Sequence, residues 1–90
     1  MSNNIIVFTL ENCKYCVNLK KILNKYKINF SEIEVNQNRD IWNKVVSQTG
    51  HNSLPTVYIS EENSEEGVVF VPDVDFKSTK ELVEKIKNYI

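Results

Sequence analysis

Two cysteines separated by two residues, Cys13 and Cys16, are the side chains of this sequence best suited to chemistry. They are the only cysteines among 90 residues, and they follow a short apolar run that ends near Thr9. At the start of a helix, such a pair lets one sulfur act as a thiolate nucleophile while the other, one turn further on, closes a disulfide with it. The spacing therefore predicts a dithiol redox site.

The two sulfurs are expected to have different roles. Cys13 would lie at the exposed helix start, where the positive partial charge of the helix N-terminus favours a thiolate. Cys16 falls on the apolar stripe of the same helix. We expect Cys13 to attack a substrate disulfide and Cys16 to resolve the mixed disulfide by displacing the product thiol. Lys14 either assists, by stabilising the thiolate or attracting an anionic partner, or is a solvated lysine without a role.

Three other interpretations of the cysteine pair are open. A zinc site normally has four ligands, and His51 alone could join the two cysteines, which leaves the site incomplete. An iron–sulfur cluster bridged between two chains could take one cysteine from each together with an external thiol. A purely structural disulfide would close almost no loop and would constrain little of the unfolded chain. We therefore predict a reactive pair and no bound metal.

Composition is typical of a small globular protein. Hydrophobic residues make up 41% and charged residues 26%, and no apolar run approaches the ~18 residues of a membrane span. The run from Ile5 to Phe8 is too short for a signal peptide and has no basic residue before it. A net charge of -1 argues against a nucleic-acid or anionic-membrane partner. We expect a single domain over residues 1–90 that is soluble, cytoplasmic and monomeric.

Hydrophobic periodicity predicts the order of the helices and strands. Strands are predicted at 5–9, 29–35, 56–59 and 67–71, and helices at 15–26, at 39–48 and from 79 onwards. Asn12 is the predicted N-cap of the first helix and Gly50 the stop of the second, while Ser78 and Glu81 form a capping box for the third. The predicted order is β-α-β-α-β-β-α. The acidic loop between the last two strands is a candidate contact for a protein partner.

Leu54-Pro55 is the second informative feature of the sequence. A proline before a strand often serves only to start the strand or to occupy an edge. The alternative is a cis peptide, which X-Pro bonds adopt at low cost, with the backbone of Leu54 set beside the cysteines to pair with an extended substrate. The redox motif upstream favours the cis interpretation.

With these features placed, the chain resembles the glutaredoxins of the thioredoxin-fold superfamily over nearly its whole length. Val7-Phe8-Thr9 followed by Cys13-Lys14-Tyr15-Cys16 is similar to the family's first strand and Cys-Pro-Tyr-Cys site. The segment 50–59 resembles the family's Gly-x-x-Thr-Val-Pro motif and the strand after it. The resemblance implies a thioredoxin-like α/β fold, with a four-stranded mixed sheet flanked by three helices.

The resemblance also implies a co-substrate and the residues that bind it. Glutathione would be the reductant, or the leaving half of a mixed disulfide. It would pair with the backbone of Leu54, before a cis Pro55 that faces Cys13, and it would pack near Tyr15. Lys14 and the lysine-rich first helix would suit its two carboxylates.

Besides Lys14, which stands where proline is usual, further positions differ from the family pattern, among them Trp42, which stands where an Arg or Gln is often found. Leu10 stands where a lysine is usual, and Asp75 would replace the aspartate of a Gly-Gly-x-Asp turn that holds the γ-glutamyl end of glutathione. Trp42 is expected to pack against the core. The implied activity is a glutathione-dependent thiol–disulfide oxidoreductase that acts on disulfide-containing proteins. The alternatives are a thioredoxin-like reductase that does not use glutathione and a non-enzymatic iron–sulfur or metal carrier.

Overall fold

Four strands form a mixed sheet at the centre of the molecule. The structure is a computed structural model that describes residues 4–60 and 67–89. The strands are β1 (Asn4–Thr9), β2 (Ser31–Glu34), β3 (Thr56–Ser60) and β4 (Gly67–Phe70). They lie in the order β2-β1-β3-β4; β2 runs parallel to β1, and the other two pairs are antiparallel. Most of the acidic loop proposed as a partner contact lies outside the described residues.

Three helices complete the fold: α1 (Lys14–Lys25), α2 (Arg39–Thr49) and α3 (Thr79–Lys87). The predicted order of helices and strands and the predicted thioredoxin-like architecture are both confirmed. A short 3₁₀ helix, Val35–Gln37, follows β2 and was not predicted. It shortens β2, because the Glu34 carboxylate accepts the Gln37 N–H at 2.9 Å and turns the chain out of the sheet. No helix in 4–60 or 67–89 has the length and apolar character to cross a bilayer.

The main core lies between one face of the sheet and the helices α1 and α3. Alternate strand positions point into it, because successive side chains of a strand face opposite sides. Its fully buried members include Val7, Leu19, Leu23, Val57, Ile59, Leu82 and Ile86. This core places the start of α1, and therefore both cysteines, at the end of β1.

Helix α2 covers the opposite face of the sheet and contributes no buried residue. Its contact with the sheet includes Trp42, whose ring centroid lies 5.5 Å from that of the buried Phe8. This contact confirms the expectation that Trp42 packs against the core. Gly50 ends α2 in the left-handed conformation, with φ at 74° and its N–H donating to the Val46 carbonyl. The predicted stop of this helix is therefore confirmed.

The start of α1 differs from the prediction. Asn12 has a φ of 66° and lies in the left-handed region, whereas an N-cap residue needs an extended backbone. Cys13 has that conformation, with φ at -87° and ψ at 111°, and is itself the N-cap. The prediction of Asn12 as the cap was wrong because Asn12 forms the turn that leads into the helix. The cap predicted for α3 is confirmed, since Ser78 Oγ accepts the Glu81 N–H at 3.1 Å.

Candidate active site

The two cysteines have different environments. Cys13 is half-buried, and its Sγ accepts a hydrogen bond from the Cys16 backbone N–H at 3.2 Å. Its own N–H donates to the Leu10 carbonyl at 3.2 Å, which holds the turn before the helix. The Cys16 side chain is only 1% exposed and faces the interior. A substrate can therefore reach Cys13 directly, whereas Cys16 can react only with what is attached to Cys13.

Burial also sets the protonation of the second cysteine. Desolvation, reinforced by the hydrogen bond and the charge of Cys13, raises the pKa of the Cys16 thiol to about 12. A backbone hydrogen bond from Leu10 and the positive charge of Lys20 act in the opposite direction. Cys16 is consequently a neutral thiol near pH 7. It must lose its proton before it can act as a nucleophile.

A cleft of about 350 Å³ opens beside the cysteine motif. Its walls are formed by Tyr15, Ser53, Leu54, Pro55, Pro72, Asp73, Phe76, Lys77, Ser78 and Thr79. Tyr15 is 68% exposed, and the Leu54–Pro55 bond is cis, as the sequence predicted. Thr56 Oγ1 donates to the Ser53 carbonyl at 2.7 Å and fixes the turn that carries the proline. The structure therefore brings Tyr15, Leu54 and Pro55 together in one cleft.

The other predicted residues of the motif lie next to this cleft. Cys13 and Lys14 line a shallow depression together with Asn12, Val17 and Asn18. Lys14 is exposed at the first position of α1. Tyr15 follows Lys14 in the chain and lines the cleft, so the first turn of α1 contributes to both the depression and the cleft.

Asp75 is the predicted site residue that the structure does not bring to the cleft. Its Oδ2 accepts the Val71 N–H at 2.8 Å, so the carboxylate closes its own loop. It lines a separate groove that also includes His51. Asp73 supplies the carboxyl group of the cleft instead, from a backbone with φ at 65°. Sequence analysis missed Asp73, although the Pro72-Asp73 pair before the capping box is a turn signal.

A charged network beside the motif was also missed. Glu32 Oε2 accepts hydrogen bonds from Lys20 Nζ at 2.9 Å and from Thr9 Oγ1 at 2.7 Å. These two bonds, the one from Lys20 first, hold the pKa of the Glu32 carboxyl below its ordinary value. The three residues come from α1, β1 and β2, and no local sequence signal links them. Within residues 4–60 and 67–89, no group of three or more His, Cys, Asp or Glu side chains is placed so that it could hold a metal ion.

The fold and the site together define a class of protein. A Cys-x-x-Cys at the start of the first helix, beside a cis proline before the third strand, is the arrangement of a thioredoxin-fold protein with a dithiol site. The family model for glutaredoxin matches residues 5–63, which is more than half of the chain. The protein therefore belongs to the glutaredoxin family.

Curated relatives match somewhat less than two thirds of the chain. A glutaredoxin of Vernicia fordii is 33% identical over an alignment of 61 residues that covers 64% of this chain and 59% of that protein. Glutaredoxin 1 of Rickettsia prowazekii (strain Madrid E) is 34% identical over an alignment of 59 residues that covers 63% of this chain and 62% of that protein. The matches thus span about three fifths of these relatives.

Solved structures support the fold over a longer stretch. A buckwheat glutaredoxin in complex with glutathione superposes with a TM-score of 0.60 at 22% identity, covering 96% of this chain and 70% of that one. A thioredoxin of Malassezia sympodialis gives a TM-score of 0.65 at 14% identity, covering 97% of this chain and 76% of that one. At these identities the likeness shows the fold alone.

Proposed function

We propose that this protein is a dithiol thiol–disulfide oxidoreductase of glutaredoxin type, with Cys13 as nucleophile, Cys16 as resolving thiol and glutathione as co-substrate. The observation that carries the proposal is the asymmetry of the two sulfurs. One caps a helix at the surface and accepts an N–H bond, while the other is a buried, neutral thiol three residues later. A structural pair would not need this difference.

The reaction exchanges one disulfide for another in two steps. The Cys13 thiolate attacks one sulfur of a substrate disulfide, whose S–S bond breaks, and the first product thiolate leaves and takes a proton. Cys16 then loses its proton and attacks Cys13 Sγ, which releases the second product thiol and forms the Cys13–Cys16 disulfide. The two cysteines give up two electrons to the substrate. Two glutathione molecules restore the dithiol and leave as glutathione disulfide.

The cleft beside the motif has the charges that glutathione needs. Lys77 and the N-terminus of α3 at Ser78 and Thr79 offer positive potential to carboxylates. Asp73 offers a negative charge to the ammonium group at the γ-glutamyl end. The backbone of Leu54 is available to pair with the tripeptide backbone. The buckwheat glutaredoxin that shares this fold was solved in complex with glutathione, which supports glutathione as the ligand but assigns no residue.

An apolar rim around Cys13 supports protein disulfides as the second substrate. Leu10, Tyr15 and Val17 are all large apolar side chains that are exposed by 38%, 68% and 42%. All three lie within four residues of the nucleophile. Clustered exposed apolar residues are typical of surfaces that meet a partner. We infer that the disulfides reduced here are flanked by apolar residues of a protein.

A coupled assay tests the proposal. Reduction of a small mixed disulfide would be followed with glutathione, glutathione reductase and NADPH for the wild type, Cys13→Ser and Cys16→Ser. Loss of turnover is expected in Cys13→Ser, while Cys16→Ser should accumulate a mixed disulfide on Cys13 when a protein disulfide is the substrate. Full activity of Cys13→Ser would contradict the assigned roles. Turnover with thioredoxin reductase but not with glutathione would contradict the glutathione coupling.

A further inference from the structure

Lys20 and Glu32 form an ion pair next to the resolving cysteine. Lys20 follows Cys16 by four residues on α1, so both side chains lie on the same side of the helix. Lys20 Nζ is 2.9 Å from Glu32 Oε2, and the two side chains are 30% and 39% exposed. Thr9, which is only 2% exposed, donates to the same carboxylate oxygen at 2.7 Å. The pair is therefore anchored to the sheet rather than free in solvent.

We propose that Lys20 and Glu32 are positioning residues for the resolving step: the Lys20 ammonium favours the Cys16 thiolate, and Glu32 holds that ammonium in place and weakens its effect. This inference rests on the proposed function. Neither residue touches the substrate or the reacting sulfurs. Both act on Cys16 through charge.

The charges that reach Cys16 are few. Cys13, at the cap of α1, opposes its ionisation, and Lys20 of α1 favours it. Glu32 of β2 bonds to Lys20 and would act on Cys16 only through that bond. Thr9 of β1 is uncharged, and the remaining influence is the Leu10 backbone bond. Lys20 is therefore the only side chain among these whose charge lowers the pKa of Cys16.

Glu32 is poorly suited to accept the proton of Cys16. Two hydrogen bonds lower the pKa of its carboxyl, whereas burial raises the pKa of the thiol to about 12. A proton would not move from such a thiol to such a carboxylate to any useful extent. The role of Glu32 is thus that of a fixed negative charge, and the proton that Cys16 loses is balanced by the one that the departing product thiolate takes up.

The sign of each substitution follows from this arrangement. Glu32→Gln removes the charge that neutralises Lys20 and should favour the Cys16 thiolate. Lys20→Met removes the favourable charge, leaves the carboxylate unpaired, and should disfavour the thiolate. Lys20→Arg keeps the charge and should behave like the wild type. Removing both charges should give a result between the two single variants, because the two effects oppose each other.

The resolving step can be measured directly with an aromatic disulfide that releases a coloured thiol. The first equivalent of coloured thiol is released when Cys13 attacks the disulfide and forms a mixed disulfide with its other half. The second equivalent is released when Cys16 attacks that mixed disulfide. We expect Glu32→Gln to accelerate the second release near neutral pH, and Lys20→Met to slow it, by about three- to tenfold each. The pH profile of the second release should move to lower pH in the first variant and to higher pH in the second.

Lys21→Met is the matched control. Lys21 is the neighbouring residue on α1, is exposed, and carries the same charge. Lys21→Met should leave the second release and its pH profile like those of the wild type. If Lys20→Met and Glu32→Gln also leave both unchanged, the inference is wrong. Equal slowing by Lys20→Met and Lys21→Met would also contradict it, since a general effect of net charge would then explain the result.

A titration that needs no turnover separates this inference from the proposed function. In a Cys13→Ser background, the Cβ resonance of Cys16 labelled with carbon-13 reports its ionisation by NMR. Glu32→Gln should lower the titration midpoint of Cys16 relative to the same background without that change. A wild type that never releases a second thiol would contradict the proposed function, and an unmoved midpoint would contradict the role of Lys20 and Glu32.

Discussion

The Sγ of Cys13 accepts the backbone N–H of Cys16 at 3.2 Å, so the residue that we propose as the nucleophile is also the cap of its helix. A helix N-terminus leaves N–H groups without partners, and a thiolate is a stronger acceptor for them than a thiol. The same bond places the backbone of Cys16, the proposed resolving residue, against the sulfur that Cys16 would attack. Capping and chemistry therefore depend on one contact.

The first prediction concerns this cap. Serine is a good N-cap residue and alanine is not, so Cys13→Ala should lower the free energy of unfolding of the reduced protein by about 1 kcal/mol relative to Cys13→Ser. Urea denaturation followed by far-ultraviolet circular dichroism measures the difference. Equal stabilities of the two variants would show that residue 13 is not the helix cap in solution.

The second prediction concerns the stability of the reduced protein in alkali. The pKa of Cys16 rises from 9.0 to about 12 on folding, so between these values the unfolded chain loses a proton that the folded chain keeps. The contribution of Cys16 to stability is complete below pH 9.0 and is lost as pH rises towards about 12. When the pH rises by one unit from 9.0, the free energy of unfolding of the wild type should fall by about 1 kcal/mol more than that of Cys16→Val.

This second measurement requires a reductant without a thiol group, since closure of the disulfide would remove both titrating groups. Lysines and tyrosines also titrate in this range, and the comparison with Cys16→Val cancels their contribution. Parallel decreases in the two proteins would mean that folding does not raise the pKa of Cys16.

The third prediction distinguishes two aspartates. Asp73 lines the cleft, whereas Asp75 accepts the Val71 N–H within its own loop. Asp73→Asn should therefore raise the KM for glutathione by about tenfold, the usual scale for one charge-assisted hydrogen bond. Asp75→Asn keeps an oxygen for the Val71 N–H and should leave this KM close to that of the wild type. The reverse pattern would support the role that the family resemblance implies for Asp75.

The fourth prediction concerns the attachment of α2. No residue of this helix is buried, and its aromatic contact with the sheet is made by Trp42 on Phe8. Trp42→Ala should lower the free energy of unfolding by about 3 kcal/mol, as for other large aromatic truncations. Ile41→Ala is the control, because Ile41 is the adjacent residue and is 45% exposed. Similar losses in the two variants would exclude a special role for Trp42.

Much of the fold was accessible from local patterns. The helical stripe through Leu19 and Leu23, the glycine stop at Gly50 and the capping box at Ser78 each depend on residues within one or two turns, and each was placed correctly. The cysteine spacing and Leu54-Pro55 likewise predicted a dithiol site from the sequence alone. One local prediction, that of Asn12 as the helix cap, was wrong, and Asp75 lies outside the cleft, because the exact use of both polar turn residues depends on the path of the surrounding loop. The binding role implied for Asp75 stays a prediction.

By itself, the sequence predicted a dithiol site, and it determined the order of the helices and strands and the family. Only the tertiary structure decided that Cys16 is no more than 1% exposed and that Asp73 rather than Asp75 lines the cleft. It also decided that Glu32 accepts hydrogen bonds from both Lys20 and Thr9. The physical reason is that these features depend on contacts between residues that are far apart in the sequence. Burial and ion pairing depend on which strand lies beside which helix, and the parallel pairing of β1 with β2 brings Glu32 to a helix that begins 18 residues earlier, at Lys14.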